Sequence, residues 1–359
     1  MKVNNRMQKL RQKFAEKEID AILISQPENI VYLSGFGGSG FLLITGQGAI
    51  LATSFIYMEE TNTLDHDYQI LQINGTPGKW FPELISLLSS ERLGFEAEST
   101  TFAMYRQLSN ILKERQSPLE LVPVNGLVES LRAVKEPGEI ELITKAAEIT
   151  DSAFAYIEGM IHTGMTEIEV AWELEKFMRE HGSQTMPFEI IVGSGSNSAL
   201  PHATPSRRVI NSGEPIVIDM GAMVEGYSSD LTRTICLGTP ASTFKKIYSV
   251  VLEAQLTAIA MIEEGMTGEQ ADSLARTVIE SARYGKAFGH SLGHNIGLGR
   301  HENPRLGPGV TEVLTSGMVF TLEPGIYLPG WGGVRIEDLV VMEDGKVRII
   351  SRARKVTYD

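Results

Sequence analysis

The stretch IVIDMGAMVEGYSSDLTRT, residues 216–234, decides how the chain is read. It opens with the β-branched apolar run Ile216-Val217-Ile218, the signature of a buried strand, and that run ends on an acid, Asp219. Gly226 marks a turn, and a second extended run carries Asp230 towards Thr232, Thr234 and Ile235. Strands joined by a tight turn lie about 5 Å apart. Asp219 and Asp230 can therefore face each other across a hairpin. Two carboxylates at a strand end repel unless positive charge sits between them. A divalent metal is the simplest solution; for this pair alone, two ordinary loop or cap aspartates are the alternative.

The same grammar recurs downstream. Glu323 ends the apolar run 319–322 and precedes Pro324-Gly325; Glu337 ends Val334-Arg335-Ile336 and precedes Asp338. Each alone reads as a strand-end cap. Three of the seven histidines, His290, His294 and His301, fall inside GHSLGHNIGLGRHE, residues 289–302. A fourth, His202, sits in Leu200-Pro201-His202-Ala203. Gly289, Gly293, Gly297 and Gly299 let the backbone approach a ligand or another strand closely. The set Asp219, Asp230, His294, Glu323 and Glu337 offers four carboxylates and one imidazole. Two divalent ions would bring that set near neutrality, whereas without them it must hold protons or come apart. Oxygen-rich ligation with one nitrogen suits manganese, cobalt, iron or zinc better than a thiolate-bound metal.

A chain of 359 residues has room for two domains. Its 42% hydrophobic and 21% charged residues are ordinary for a globular protein. A net charge of −13 argues against a nucleic-acid surface. The one cysteine, Cys236, excludes an internal disulfide and reads as a small core residue; a cytoplasmic, reducing home fits. The charged N-terminus lacks the apolar core of a signal peptide. No apolar run reaches the roughly 18 residues of a membrane span.

Residues 5–18 read as an amphipathic helix through Met7, Leu10 and Phe14. Strands are expected at 21–24, 41–44, 49–51, 68–73, 92–95 and 119–124, and helices at 56–63, 80–89 and 100–113. Residues 27–40 read as broken by glycine. Alternating strands and helices imply an α/β domain with a mixed sheet over 1–125. Residues 126–135 form a passage to a second domain, 136–359. Helices are expected there from Glu136-Pro137 to about 160 and from 166 to 180, the latter opened by a Thr166–Glu169 capping box. Helices at 244–264 and 268–284 follow, with strands at 188–192, 318–322, 333–337 and 339–342, which makes this domain α+β.

At these residues the chain resembles the pita-bread metallopeptidases, a family that includes methionine aminopeptidase, Xaa-Pro aminopeptidase and prolidase. The resemblance rests on IDMGAMVEGYSSDLTRT, PHATPS, GHSLGHNIGLGRHENPRL, TLEPGIY and GVRIED and covers nearly the whole chain. The additional N-terminal domain resembles that of the proline-directed branch. The resemblance implies a pita-bread (creatinase/aminopeptidase-like) catalytic domain and metal ligands Asp219, Asp230, His294, Glu323 and Glu337. Asp230 and Glu337 would bridge two divalent ions, with manganese or cobalt ahead of zinc or iron. It implies hydrolysis of the Xaa-Pro bond at a peptide N-terminus, by a hydroxide shared between the ions, with Glu323 carrying the proton. His202 and His301 would steady the substrate and its oxyanion, and His290 would line the proline pocket. Arg335 would orient Glu337 or serve as a structural ion pair.

Two departures stand out: Asn295, where relatives usually have glycine, and Gly299-Arg300, where they have an acidic or small residue and then valine. The alternatives are a prolidase restricted to dipeptides, for which Arg305 is a candidate cation, and a non-catalytic binding protein on the same fold. The implied partners are a short peptide with proline second and a second copy of the chain, with neither nucleic acid nor membrane. Phe36 and Phe41, around the glycine-rich segment 35–40, are either a gate reaching a neighbouring subunit's cleft or a turn packed on its own domain.

Overall fold

The protein is described here by a computed structural model covering residues 3–64, 68–88 and 91–358. The chain divides into two units, Met1–Arg132 and Ala133–Asp359.

In the first unit the amphipathic N-terminal pattern forms α1 (Val3–Gln12), which buries Met7 and Leu10; Phe14 is buried just beyond it. Strand β1 (Ala21–Ile24) follows, buried at all its residues. The segment read as broken is helical at first: α2 spans Pro27–Ser34. Pro27 sits in the first turn, where a missing N–H is harmless, and Gly35 ends the helix at φ 75°. Hairpin β2 (Gly40–Thr45) and β3 (Ala49–Thr53) comes next, then α3 (Met58–Thr61) and β4 (Gln69–Gln72). The helix expected at 80–89 is α4 (Pro77–Ser86); Ser89 lies outside the described residues. Strand β5 (Arg92–Glu96), helix α5 (Phe102–Glu114), strand β6 (Glu120–Val124) and the short helix α6 (Glu129–Arg132) complete the unit. The sheet order is β4-β3-β2-β1-β5-β6, antiparallel at β1–β2 and β2–β3 and parallel elsewhere. The passage expected at 126–135 thus contains α6, and the division between units falls after it.

The second unit opens with α7 (Pro137–Met160) and α8 (Glu167–Glu180). These pack on a three-stranded antiparallel sheet of β7 (Ile191–Ser194), β8 (Pro215–Met220) and, after the small hairpin β9 (Met223–Val224) and β10 (Tyr227–Ser228), β11 (Leu231–Cys236). Helices α9 (Ser242–Met261) and α10 (Gly268–Ser281) precede a second antiparallel layer. That layer comprises β12 (Gly293–Asn295), β13 (Glu302–Leu306), β14 (Val319–Leu322), β17 (Asp338–Glu343) and β18 (Lys346–Ile349). The hairpin β15 (Gly325–Leu328) and β16 (Gly332–Arg335) interrupts it. Ile247, Val251, Ala271, Ala275, Phe320 and Val340 build the core between α9, α10 and these strands.

The unit repeats itself. Met160–Thr166 reads MIHTGMT and Met261–Thr267 reads MIEEGMT. Each copy ends one long helix and caps the next. Gly164 and Gly265 take φ of 100° and 93°, where glycine carries no steric penalty. Thr166 and Thr267 each accept from the backbone N–H of N3, and Glu169 and Gln270 return the bond, a capping box worth about 1 kcal/mol. The N–H of Gly164 donates to Ile210 O and that of Gly265 to Leu314 O, at 3.0 and 2.9 Å. The unit thus contains two related halves, each a helix pair on antiparallel strands. No helix among the described residues is long and apolar enough to cross a membrane.

Candidate metal centre

Each of the four candidate ligand acids lies where a buried strand reaches the same cleft. Asp219 is the penultimate residue of β8 and pairs across the ladder with Thr232 of β11; Asp230 immediately precedes β11. Glu323 follows β14, Glu337 lies between β16 and β17, and His294 is the middle residue of β12. The β12–β14 approach depends on Gly293: a Cβ there would collide with the Thr321 carbonyl oxygen. The cleft, about 980 Å³, is lined by all five residues together with His202, His290, His301, Arg300, Arg305, Tyr327 and Arg335.

The inner end is acidic and sheltered. Asp219, Asp230, His294 and Glu337 are all buried. Ligand atoms of Asp230, His294 and Glu337 lie within 4.8 Å of one another. His294 Nε2 is 3.7 Å from Asp230 Oδ2 and 3.4 Å from Glu323 Oε1. Its Nδ1 faces the Asn295 carbonyl at 3.0 Å, so Nδ1 carries the hydrogen and Nε2 offers a lone pair. Burial, with His301 nearby, pushes the His294 pKa down to about 3, which keeps the ring neutral.

The carboxylates are raised in the opposite sense. Burial lifts Asp230 well above its usual range, aided by the charges of Glu337, Asp219 and Glu323. Glu337 is raised for the same reasons. Burial brings Glu323 up to about 7, against the pull of Arg335. Thr232 Oγ1 donates to Glu337 Oε2 at 2.6 Å, and Thr321 Oγ1 to Glu323 Oε1 at 3.0 Å. Asp219 Oδ1 and Glu337 Oε1 are buried without a hydrogen-bond partner among the described residues. Buried polar atoms left without partners are costly. Two orphaned oxygens, neighbouring acids whose hold on a proton is strengthened and a neutral imidazole with a free lone pair fit a cationic guest that displaces protons.

Of the two roles expected for Arg335, the structure has the ion pair: Nη2 donates to Asp219 Oδ2 at 2.7 Å, Nε to Thr232 Oγ1 at 3.0 Å and Nη1 to Tyr327 OH at 2.8 Å. Among the described residues no hydrogen bond joins its guanidinium to Glu337, which it reaches only through Thr232. His290 Nε2 meets Tyr327 OH at 3.1 Å, and burial lowers its pKa to about 4. The His301 ring stands edge-on to His294, 4.4 Å between centroids, and is exposed. Partial desolvation in the cleft, then the charges of Arg300 and Arg305, lowers its pKa although the residue remains exposed. His202 is exposed in the cleft wall.

Sequence reasoning missed Tyr327, Thr232 and Thr321. The two threonines carried a signal: each stands two residues from an acid on an extended run, hence on the same face as Asp230 or Glu323. Tyr327 carried none, because its partners come from separate segments.

A buried acid-and-imidazole cluster in a two-halved α+β unit defines a metal-dependent class of enzyme. The chain belongs to the metallopeptidase family M24, whose model matches residues 141–344, and a creatinase/prolidase N-terminal domain matches residues 6–134. It is a metallopeptidase, and its family implies divalent metal ions. The chain is 37% identical to the Xaa-Pro dipeptidase of Pyrococcus furiosus, over 99% of this chain and 100% of that one. Among solved structures it is similar to the Xaa-Pro dipeptidase from Bacillus anthracis, with a TM-score of 0.94 and 40% identity, covering 99% of each chain. It is also similar to the X-Pro aminopeptidase from Thermotoga maritima, with a TM-score of 0.87 and 36% identity, covering 96% of this chain and 99% of that one. The α/β domain followed by the pita-bread unit is the architecture of these relatives.

Proposed function

We propose that the protein hydrolyses the peptide bond before proline at the N-terminus of short peptides, using two divalent ions, manganese or cobalt first, held by Asp219, Asp230, His294, Glu323 and Glu337. The observation that carries this reading is the meeting of four carboxylates and one neutral imidazole at the buried end of a single cleft. Ions bound there would acidify a water and polarise the scissile carbonyl.

The chain's own residues supply the rest. Glu323 takes up the proton released by the attacking water and delivers it to the leaving nitrogen, with Thr321 fixing its Oε1. His202 and His301 donate to the oxygen on which negative charge develops. Arg335 holds Asp219 in place and, through Tyr327, the ring of His290 that borders the proline.

A second reading concerns length. Arg300 and Arg305 are exposed in the cleft wall, and neither side chain makes a hydrogen bond or ion pair among the described residues. Unpaired guanidiniums suit a free carboxylate, as a dipeptide presents. The relatives named Xaa-Pro dipeptidase favour this narrower activity, while the similarity to an X-Pro aminopeptidase keeps the broader one. We further propose that the protein works as a homodimer, a reading supported by the exposed apolar residues Phe55, Ile56 and Phe102 of the first unit.

The test is digestion of an Xaa-Pro dipeptide beside Xaa-Pro-Yaa peptides with added manganese or cobalt. Cleavage of both supports the aminopeptidase and cleavage of the dipeptide alone the dipeptidase. No cleavage of either, with metal bound, overturns the function.

A further inference from the structure

Behind the loop that carries Arg300 and His301 lies a buried ionic knot with no part in the chemistry described so far. Lys135 Nζ reaches Glu302 Oε2 and Asn295 Oδ1, both at 3.1 Å. The side chains of Lys135 and Glu302 are 1% and 8% exposed, and Asn295 is 1% exposed. Asn295 Nδ2 in turn donates to Ala133 O at 3.2 Å and Asn303 O at 3.0 Å. Glu302 uses its other oxygen, Oε1, to accept the Gly299 N–H at 2.9 Å. The loop is cinched further by Gly297 N–H to Gly299 O at 3.0 Å. Gly297 fits this pocket because a Cβ there would press on both Glu302 oxygens and Lys135 Cε.

The knot touches the two ends of one short path. Asn295 follows His294, and Glu302 follows His301. A buried ion pair is weak evidence for stability, because desolvation offsets attraction; its better-attested use is to fix one arrangement among several. Here the arrangement it fixes is the loop 297–302, and with it the edge-on placement of His301 against His294. Asn295 stands where the resemblance leads one to expect glycine, so this chain adds two donors and one acceptor to the clamp.

We infer that Lys135, Asn295 and Glu302 form a latch that positions His301 for the reaction. They are positioning residues: none lines the cleft, and they act through the loop. The latch leaves the His294 tautomer alone, because Nδ1 is held by the Asn295 backbone carbonyl and not by its side chain.

This inference rests on the proposed role of His301, and the experiment separates the two. In full-length, manganese-loaded protein, Asn295→Ala should lower kcat on an Xaa-Pro substrate about tenfold, with KM within about twofold and metal content unchanged. Amide exchange should quicken at Gly299 and Arg300 but not in α9 or α10. In a His301→Ala background the same substitution should cost almost nothing further, since contributions that act through one group do not add. Lys135→Met should behave like Asn295→Ala, and Lys135→Arg should recover much of the loss; if Lys135→Met fails to fold, Asn295→Ala, which removes no charge, carries the test. An equal loss with and without His301, exchange that quickens across the whole unit, or an unchanged kcat would each overturn the latch. If the wild-type protein cleaves no Xaa-Pro peptide, the functional reading falls, and the exchange pattern still decides whether the latch holds the loop.

Discussion

Arg335 Nη2 donates to Asp219 Oδ2 at 2.7 Å, and the second oxygen of Asp219 is left buried and without a hydrogen-bond partner among the described residues. One oxygen is thus fixed by a planar fork and the other is presented. The same guanidinium engages Thr232 and Tyr327, a geometry that the ammonium of lysine cannot reproduce. Arg335→Lys should therefore reduce activity or metal affinity about 10- to 100-fold, the usual effect of losing a residue that orients a ligand. Parallel measurement of metal content and kcat/KM checks this; wild-type values for both would remove Arg335 from the support of the site.

Asp230 is placed at the centre of the cluster, within reach of His294 and influenced by Asp219, Glu323 and Glu337. Asp230→Asn changes the charge and hardly the shape. It should abolish turnover and reduce bound metal while leaving the fold intact, because Asn meets the burial at less electrostatic cost than an ionised acid. Metal analysis of the wild-type protein, supplied with manganese or cobalt, should approach two ions per chain. Near wild-type turnover in the variant, as judged by a peptide assay beside circular dichroism, would refute the assignment.

The raised acids give metal binding a definite pH dependence. Below about pH 7 Glu323 holds its proton in the metal-free chain, and Asp230 and Glu337 are raised as well. An incoming cation must displace those protons. His294, at about 3, has none to give. Apparent affinity should therefore climb with pH through about 7, with protons released on binding at pH 6. Stability of the metal-free protein follows the opposite sign. A folded-state pKa raised above the unfolded one means that the folded chain holds the extra proton, so this stabilisation is lost as pH rises towards about 7. His290 and His294 are depressed, and their contribution is instead lost as pH falls below about 6.5. Above 6.5 only the acids remain, and the metal-free protein should weaken. Calorimetry in two buffers of different ionisation enthalpy checks the proton count; zero release at pH 6 would rule this out.

The five candidate ligands were legible because each breaks a strong local pattern, an acid where a β-branched run ends or a histidine among glycines. What they touch was not legible. Arg335 stands two residues from Glu337, yet its carboxylate partner, Asp219, lies 116 positions away, and partner choice depends on how β8 and β16 pack. The Lys135–Glu302 pair, 167 positions apart, was hidden for the same reason. Helix α2 escaped because its eight residues fall between glycine-rich and proline signals that also describe a loop. The MIHTGMT and MIEEGMT copies are separated by a whole half of the second unit, so their likeness does not show in any local pattern.

Phe36 was a candidate gate because an aromatic among glycines reads as a mobile loop. The structure gives it the opposite character. Its side chain is fully buried, it meets Tyr57 edge-on at 5.9 Å between centroids, and its N–H donates to Ser34 Oγ at 3.1 Å. Gly38 is glycine because a Cβ would run into the Phe36 and Tyr57 rings. Phe41, the other aromatic, stacks on Trp80 at 4.6 Å. The segment is a packed turn of its own unit, and Phe36 belongs to the core. Phe36→Ala should then act as a cavity mutation, destabilising the protein by about 3–5 kcal/mol. The ratio of rates on Xaa-Pro and Xaa-Pro-Yaa peptides should stay where it was for the fraction that remains folded. Denaturant unfolding and paired peptide assays below the unfolding transition measure the two effects separately. A variant as stable as the wild type with an altered ratio would restore the gate.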